Sequence, residues 1–398
     1  MSQKKTDIAT LPKQKTSPLN DPRIRGVIFQ ALVAILLIWF GWTVFQNTLH
    51  NMESRGITTG FAFLDNPAGF GILMTLIEYD ETHTYGRTFI VGLLNTLLVA
   101  GLGVIFATVL GFVMGIARLS QNWLIAKIAT VYVETLRNIP LLLQIFFWYF
   151  AILQPLPGPR KSLDAAGVLF VNNRGIYVPE PIPGDGFGFV LIAFFIGIIA
   201  TIAISRWASK RQEETGQQFP TFTAGLGCIL GLPLIMFLIM GAPLTWGIPA
   251  LKGFNFKGGI QIVPELIALL FALSTYTAAF IAEIVRSGIL AVSHGQTEAA
   301  ESLGIKRSVT LRLVVIPQAM RVIIPPLTSQ YLNLVKNSSL ATAIGYPDIV
   351  SVFMGTTLNQ TGQAVEIVAM TMAVYLAISL TLSVIMNWYN KAMSLKER

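Results

Sequence analysis

The chain carries one cysteine and three histidines in 398 residues, and only 12% of its residues are charged. A lone cysteine, Cys228, excludes an intrachain disulfide, and its place in an apolar block makes it a small packed side chain. His50, His83 and His294 have no metal-ligand spacing such as HExxH, and no metal or other cofactor is implied. No GxxxxGK[ST] phosphate loop occurs, so any ATP hydrolysis that drives this protein belongs to another chain. GxSxG is missing too, as is a clustered acidic pair in the apolar blocks, which excludes a recognisable intramembrane enzyme.

What the chain does have is hydrophobic residues, 53% of the total, with a mean hydropathy of +0.64. They fall in blocks at 27–45, 88–117, 124–153, 187–205, 222–240, 264–290, 319–344 and 365–388. At ~1.5 Å per helical residue, about 20 residues cross a hydrocarbon core roughly 30 Å thick. The expected fold is therefore all-α, a polytopic transmembrane helical bundle of eight spans. Residues 1–26 are polar, with six Lys or Arg and three prolines, and read as a disordered tail. No small-residue cleavage site follows the first block, so it reads as a retained anchor. With both termini in the cytoplasm, segments 1–26, 118–137, 205–219, 286–321 and 391–398 hold 20 of the 28 Lys and Arg residues. That is the positive-inside distribution, and it accounts for the net charge of +8 without a nucleic-acid partner. Segment 154–186, on the opposite side, is rich in proline and glycine and reads as loop or short extended structure. It serves either as a cap on the outer face or as a surface for a soluble partner. Gly111 and Gly115, and again Gly227 and Gly231, are spaced for close helix approach.

The most informative stretch is the cytoplasmic segment 293–317. Thr297 can cap a helix whose first turn holds Glu298 and Glu301, and Gly304 can take the left-handed turn that ends it. A second short helix over 307–315, with Arg307 and Arg312 beside Leu311, Leu313 and Val314, is expected to stop at Pro317. Two short helices at an angle make a docking element. Glu298-Ala299-Ala300, then Gly304, Val314, Ile316 and Pro317, resembles the EAA loop of ABC importer permeases, with Val314 and Ile316 in place of the commoner Ile and Leu. The resemblance implies that these seven residues dock an ATPase subunit and pass its motion to the membrane helices.

Glu134-Thr-Leu-Arg137-Asn-Ile-Pro140, Phe280-Ile-Ala-Glu283-Ile-Val-Arg286, Gly295-Gln296 and Lys336-Asn-Ser-Ser-Leu340 resemble the polar amino-acid branch of the same family. The likeness covers residues 85–153 and 260–390, a type I permease core in two parts. Ahead of it lies an extra span with an outer segment, 27–84, between the parts lies an insertion, 154–259, and after them a tail, 391–398. This enlarged plan resembles the larger permeases of general L-amino-acid importers of the Aap/Bzt type. It implies a bacterial inner-membrane subunit that works with two copies of an ATPase, a second homologous permease and a periplasmic amino-acid-binding protein. An ion-gradient-driven secondary transporter is the rival reading. It needs no docking loop and commonly carries inverted repeats, which are not evident here.

Glu134 and Arg137, and Glu283 and Arg286, stand three residues apart near cytoplasmic span ends, so each pair can meet on one helix face. They either fix helix ends or take part in gating. Lys336 lies within an apolar block among polar neighbours, a costly arrangement in lipid. Gln330, Asn337, Ser338 and Thr342 supply donors and acceptors for a zwitterion, and are expected either to line the translocation path or to bond between helices.

Overall fold

The computed structural model describes residues 22–54 and 59–393. Of the disordered tail expected over 1–26, residues 1–21 lie outside the described residues, and 22–26 are helical. Helix α1 spans Pro22–Ser54, so the fixed φ of Pro22 starts a helix five residues ahead of the apolar block. Its span is exposed along its length.

After the stretch 59–84, α2 (Tyr85–Ala117) opens on Thr84, whose side chain accepts from the Arg87 amide. The 124–153 block is not one straight helix. α3 (Trp123–Asn138) and α4 (Leu141–Phe146, continued by a wide turn Phe147–Leu153) meet at a bend of 108°. Pro140 lacks an amide proton and pushes Ile139 into extended backbone, so the helical ladder stops there. The freed Leu136 and Ile139 carbonyls both accept from Gln144 Nε2, at 2.9 and 3.0 Å.

The segment that follows contains the β-strands among the described residues, apart from an isolated bridge between Pro67 and Thr84. β1 (Leu163–Ala165), β2 (Leu169–Asn172) and β3 (Gly175–Val178) form a meander, and β4 (Glu180–Pro183) leads into α5 (Phe187–Thr215). α6 (Thr221–Leu226) and α7 (Leu232–Ile239), joined by a wide turn at Gly227–Gly231, run back along α5. β5 (Leu244–Gly247), β6 (Ala250–Lys252), β7 (Asn255–Lys257) and β8 (Ile260–Ile262) complete the insertion. β5 pairs with β4 and β8 with β3, both antiparallel, so the return limb ties the meander to the start of the next span.

That span, α8 (Pro264–Leu290), is the axis of the bundle. Below it lie α9 (His294–Ser302) and α10 (Arg307–Thr310). α11 (Ile316–Asn337, extended by a tight turn Ser338–Ile344) returns, and after a link holding α12 (Leu358–Thr361), α13 (Ala364–Met393) closes the bundle. The described residues contain seven helices long and apolar enough to span a membrane, eight if the bent pair is one span.

Leu269, Ala272, Leu273 and Ile281 of α8 are buried against Val99 and Ala107 of α2 and Ile323, Ile324 and Leu334 of α11. In lipid the water-exclusion term that stabilises a soluble core is absent, so these contacts count through van der Waals packing at ~0.1–0.2 kcal/mol per atom pair. Close approach therefore matters, and Gly111 and Gly115 provide it: a Cβ at Gly111 would lie 2.6 Å from Ile281 Cβ. Gly227 and Gly231 do not, having nothing within 4 Å; they sit in the wide turn, and Gly197 and Gly225 make the close contacts between α5 and its neighbours.

Candidate functional site

The segment between α8 and α11 forms two arms around a left-handed glycine. Gly304 has φ +70°, and the amides of Gly304 and Ile305 donate to Glu301 O and Ala300 O at 2.9 and 3.1 Å. The helix before it begins earlier than its acidic residues indicate: α9 starts at His294 after Ser293, with no acid in its first turn, and Thr297 caps nothing. Glu298 lies on the exposed face and pairs with His294 Nδ1 at 2.9 Å. The second arm does not stop at Pro317. α10 passes through a wide turn, Leu311–Val315, into α11, so Pro317 stands at the entry of a continuing helix, where its missing amide costs little.

Ala300, Thr310 and Val315 are buried, whereas Ala299, Gly304 and Ile316 are exposed and Val314 and Pro317 half-buried. Seven motif positions thus divide between holding the arms together and facing outward. Two outward apolar side chains were not singled out by the motif, Leu303 (79% exposed) and Leu313 (68%); Leu311, Ile316, Lys306, Arg307 and Arg312 are exposed on the same segment. An exposed leucine directly before a turn glycine is the sequence signal for the first.

Above this element the charges assemble differently from their spacing. Arg286 and Glu283 do meet, Nη2 to Oε1 at 2.7 Å. Glu134 and Arg137 do not form an ion pair: Glu134 Oε1 lies 3.4 Å from Arg118 Nη2, and the Arg137 guanidinium stacks 5.2 Å from the Phe280 ring centroid. Arg118, which belongs to neither expected pair, joins Glu283 through Nη1 and bridges it to Glu134, so that Glu283, held by two arginines, is the centre of the cluster. Arg118 ties the end of α2 to α3 and α8. Glu283→Gln is expected to lower stability by roughly 1–3 kcal/mol, because two arginines lose their charged acceptor. Glu134→Gln, at a longer and more exposed contact, is expected to cost under about 1 kcal/mol. Thermal melting of the two purified variants checks the order; equal shifts would remove Glu283 from the centre.

Gln330 and Asn337 of α11 and Ser338 and Thr342 of the turn that extends it make different contacts. Ser338 is buried and donates to Val335 O at 2.7 Å within its own helix, and Thr342 donates to Asp348 at 3.4 Å. Gln330 and Asn337 are half-buried on one face seven residues apart, with Asn333 and Lys336 exposed beside them. Asp348, which the sequence reading passed over, is the buried polar centre here. It sits in the link after α11, accepts from the Ser351 amide at 2.8 Å and from Tyr375 Oη at 3.2 Å, and burial pushes its carboxyl up to about 7 against the lowering effect of those bonds. The same link is held to α2: Asn95 Nδ2 donates to Pro347 O at 2.9 Å, and the Ile349 amide to Thr96 Oγ1 at 3.0 Å. An aspartate between Pro347 and Ile349 in an otherwise apolar stretch is the signal that could have found it.

Residues 107–395 match the family described as "Binding-protein-dependent transport system inner membrane component". Among curated proteins, the chain is 52% identical over 382 residues to the general L-amino acid transport system permease protein AapQ of Rhizobium johnstonii, covering 96% of this chain and 95% of that one. It is 43% identical over 415 residues to the glutamate/glutamine/aspartate/asparagine transport system permease protein BztB of Rhodobacter capsulatus, covering 96% of each.

Proposed function

The chain belongs to the family of binding-protein-dependent transport system inner membrane components, and from that membership we propose that it is one of two permease subunits of an ATP-driven ABC importer of amino acids. It is a multi-pass membrane protein and a permease subunit that performs no chemistry itself. The observation that carries the finer reading is the element of α9, Gly304 and α10: two helical arms around a left-handed glycine, bearing exposed leucines and basic residues and continuous with a span of the core. Exposed apolar side chains on such a segment suit a cleft on a soluble partner. That partner is the ATPase subunit, present in two copies, and Glu298, Ala299, Gly304, Val314, Ile316 and Pro317, with Ala300 beneath them, form its docking site.

Lys336 and Asn333 are exposed on a span. In lipid that placement is costly, so their face belongs against an aqueous path or a second permease. Gln330, Asn337, Ser338 and Thr342 are assigned to that path, and the broad L-amino-acid range follows the likeness to AapQ. The core parts 85–153 and 260–390 carry transport, 27–84 and 154–259 are additions to it, and both termini lie in the cytoplasm of a bacterial inner membrane. Substrate arrives on a periplasmic amino-acid-binding protein, and ATP binding rocks the paired permeases between outward and inward access.

The test is uptake of labelled amino acids into proteoliposomes holding this chain with a second permease, ATPase and binding protein. Uptake that requires internal ATP and the binding protein is expected. Uptake by this chain alone, driven by an ion gradient, would overturn the reading in favour of a secondary transporter.

A further inference from the structure

At the outer end of α8, a cavity of about 380 Å³ opens between the bundle and the insertion's strands. Its walls include Tyr149 and Gln154 from the α4 side, Arg174, Asn255 and Gln261 from the strands, and Glu265 from the first turn of α8. That size falls in the range of small-ligand sites, roughly 300–1,000 Å³. Glu265 is 92% buried. Its Oε1 accepts from Tyr149 Oη at 2.8 Å, while its Oε2 is buried and has no hydrogen-bond partner among the described residues. No cation pairs with it among those residues either. A helix N-terminus offsets a buried carboxylate by only about 0.3–1 kcal/mol, less than an unmet charged acceptor costs. The carboxylate is therefore an acceptor waiting for a donor that carries charge.

Arg174 stands on the same cavity, exposed, in the β2–β3 turn. It is held by its carbonyl, which accepts from Gln261 Nε2 at 2.9 Å, and its guanidinium makes one long contact with Phe254 O, 3.5 Å from Nη1. With Arg160 and Lys161 it also lines a neighbouring hollow, which makes this mouth cationic. The cavity thus presents one buried anion and one accessible cation.

We propose that this cavity is an outer binding site for the backbone of an α-amino acid, Glu265 taking the ammonium and Arg174 the carboxylate. The assignment rests on the importer reading and deepens it. Neither group reads a side chain, so the site accepts α-amino acids as a class, and it uses the inserted strands to build one wall. It is distinct from the polar face of α11.

The experiment uses the assembled permease and ATPase complex in nanodiscs without binding protein, probed by saturation-transfer NMR with L-alanine, L-glutamine, alaninamide and propionate, alongside the uptake assay. The wild-type complex is expected to bind both amino acids and to prefer them over alaninamide and propionate. Glu265→Gln is expected to weaken amino-acid binding roughly 30-fold or more, the usual loss when one partner of a desolvated charge pair is removed, and to leave propionate as a competitor of undiminished strength. Arg174→Gln, at an exposed turn that tolerates substitution, is expected to lose the preference for alanine over alaninamide. Size-exclusion chromatography of each variant complex establishes assembly. A wild-type complex that takes up amino acids while both variants bind them unchanged overturns this site and leaves the importer standing; no uptake by the complete wild-type system removes the importer reading itself.

Discussion

Gly115→Val is expected to abolish accumulation of folded protein in the membrane. A Cβ at this position would stand 2.7 Å from the Ala282 carbonyl oxygen and 2.8 Å from Val285 Cβ, and the first of these is backbone that no rotamer change can move. Relief requires α2 and α8 to separate, and their contact runs through the middle of the core. Overpacking typically costs about 1–3 kcal/mol for a methylene or two. Here the cost lies at the upper end or beyond, since separation also forfeits dispersion contacts along the seam and lipid supplies no water-exclusion term to restore them. Gly227→Val is the control: its Cβ meets nothing within 4 Å, and the variant is expected to accumulate normally. Size-exclusion profiles of fluorescent fusions compare the two. Equal yields for the pair would mean that the seam is looser than the distances require.

Leu303→Asp is expected to prevent stable association with the ATPase subunit while leaving the permease folded. Leu303 is 79% exposed and follows the last residue of α9, so an aspartate there meets no packing penalty. At the interface a carboxylate in place of an apolar anchor is expected to weaken binding by at least about 2 kcal/mol, close to 30-fold in Kd. Leu303→Met keeps the apolar contact and is expected to bind almost as the native chain does. Glu298→Ala, which removes an exposed carboxylate paired only with His294, is expected to change affinity by less than Leu303→Asp. Titration of purified ATPase against permease in nanodiscs reads all three. Unchanged affinity for Leu303→Asp would move the docking face away from the tip of the two arms.

The fate of individual residues shows which properties were legible. α8 was readable to the residue, because Pro264 starts it and the apolar run ends where the polar segment of α9 begins. Gly304 was readable because a turn at the end of a helix demands φ near +70°, which only glycine takes without strain. Pro140 and Pro317 look alike in sequence and act differently. The first follows sixteen helical residues and breaks them; the second stands near the head of α11, where the chain absorbs it in a wide turn. Proline's local chemistry is the same at both, and the difference lies in which carbonyls find other donors. Of the two charge pairs, Glu283 and Arg286 meet as their spacing predicts, whereas Glu134 and Arg137 do not: a spacing of three puts them within reach, but Arg118 at the end of α2 and Phe280 from α8 compete and win.

By itself, then, the sequence determined that this protein lives in a membrane, roughly where its apolar helices lie and which segment carries the turn glycine between two short helices. Those properties depend on runs of side chains adjacent along the chain, and the transfer of apolar side chains and the geometry of a turn glycine are local. Only the tertiary structure decided which ions meet, that β3 pairs with β8 across the whole insertion, and that Glu265 faces a cavity walled by strands from both ends of it. Each of these joins residues far apart in sequence, and the order of the side chains along a chain does not say which distant surfaces will close upon one another.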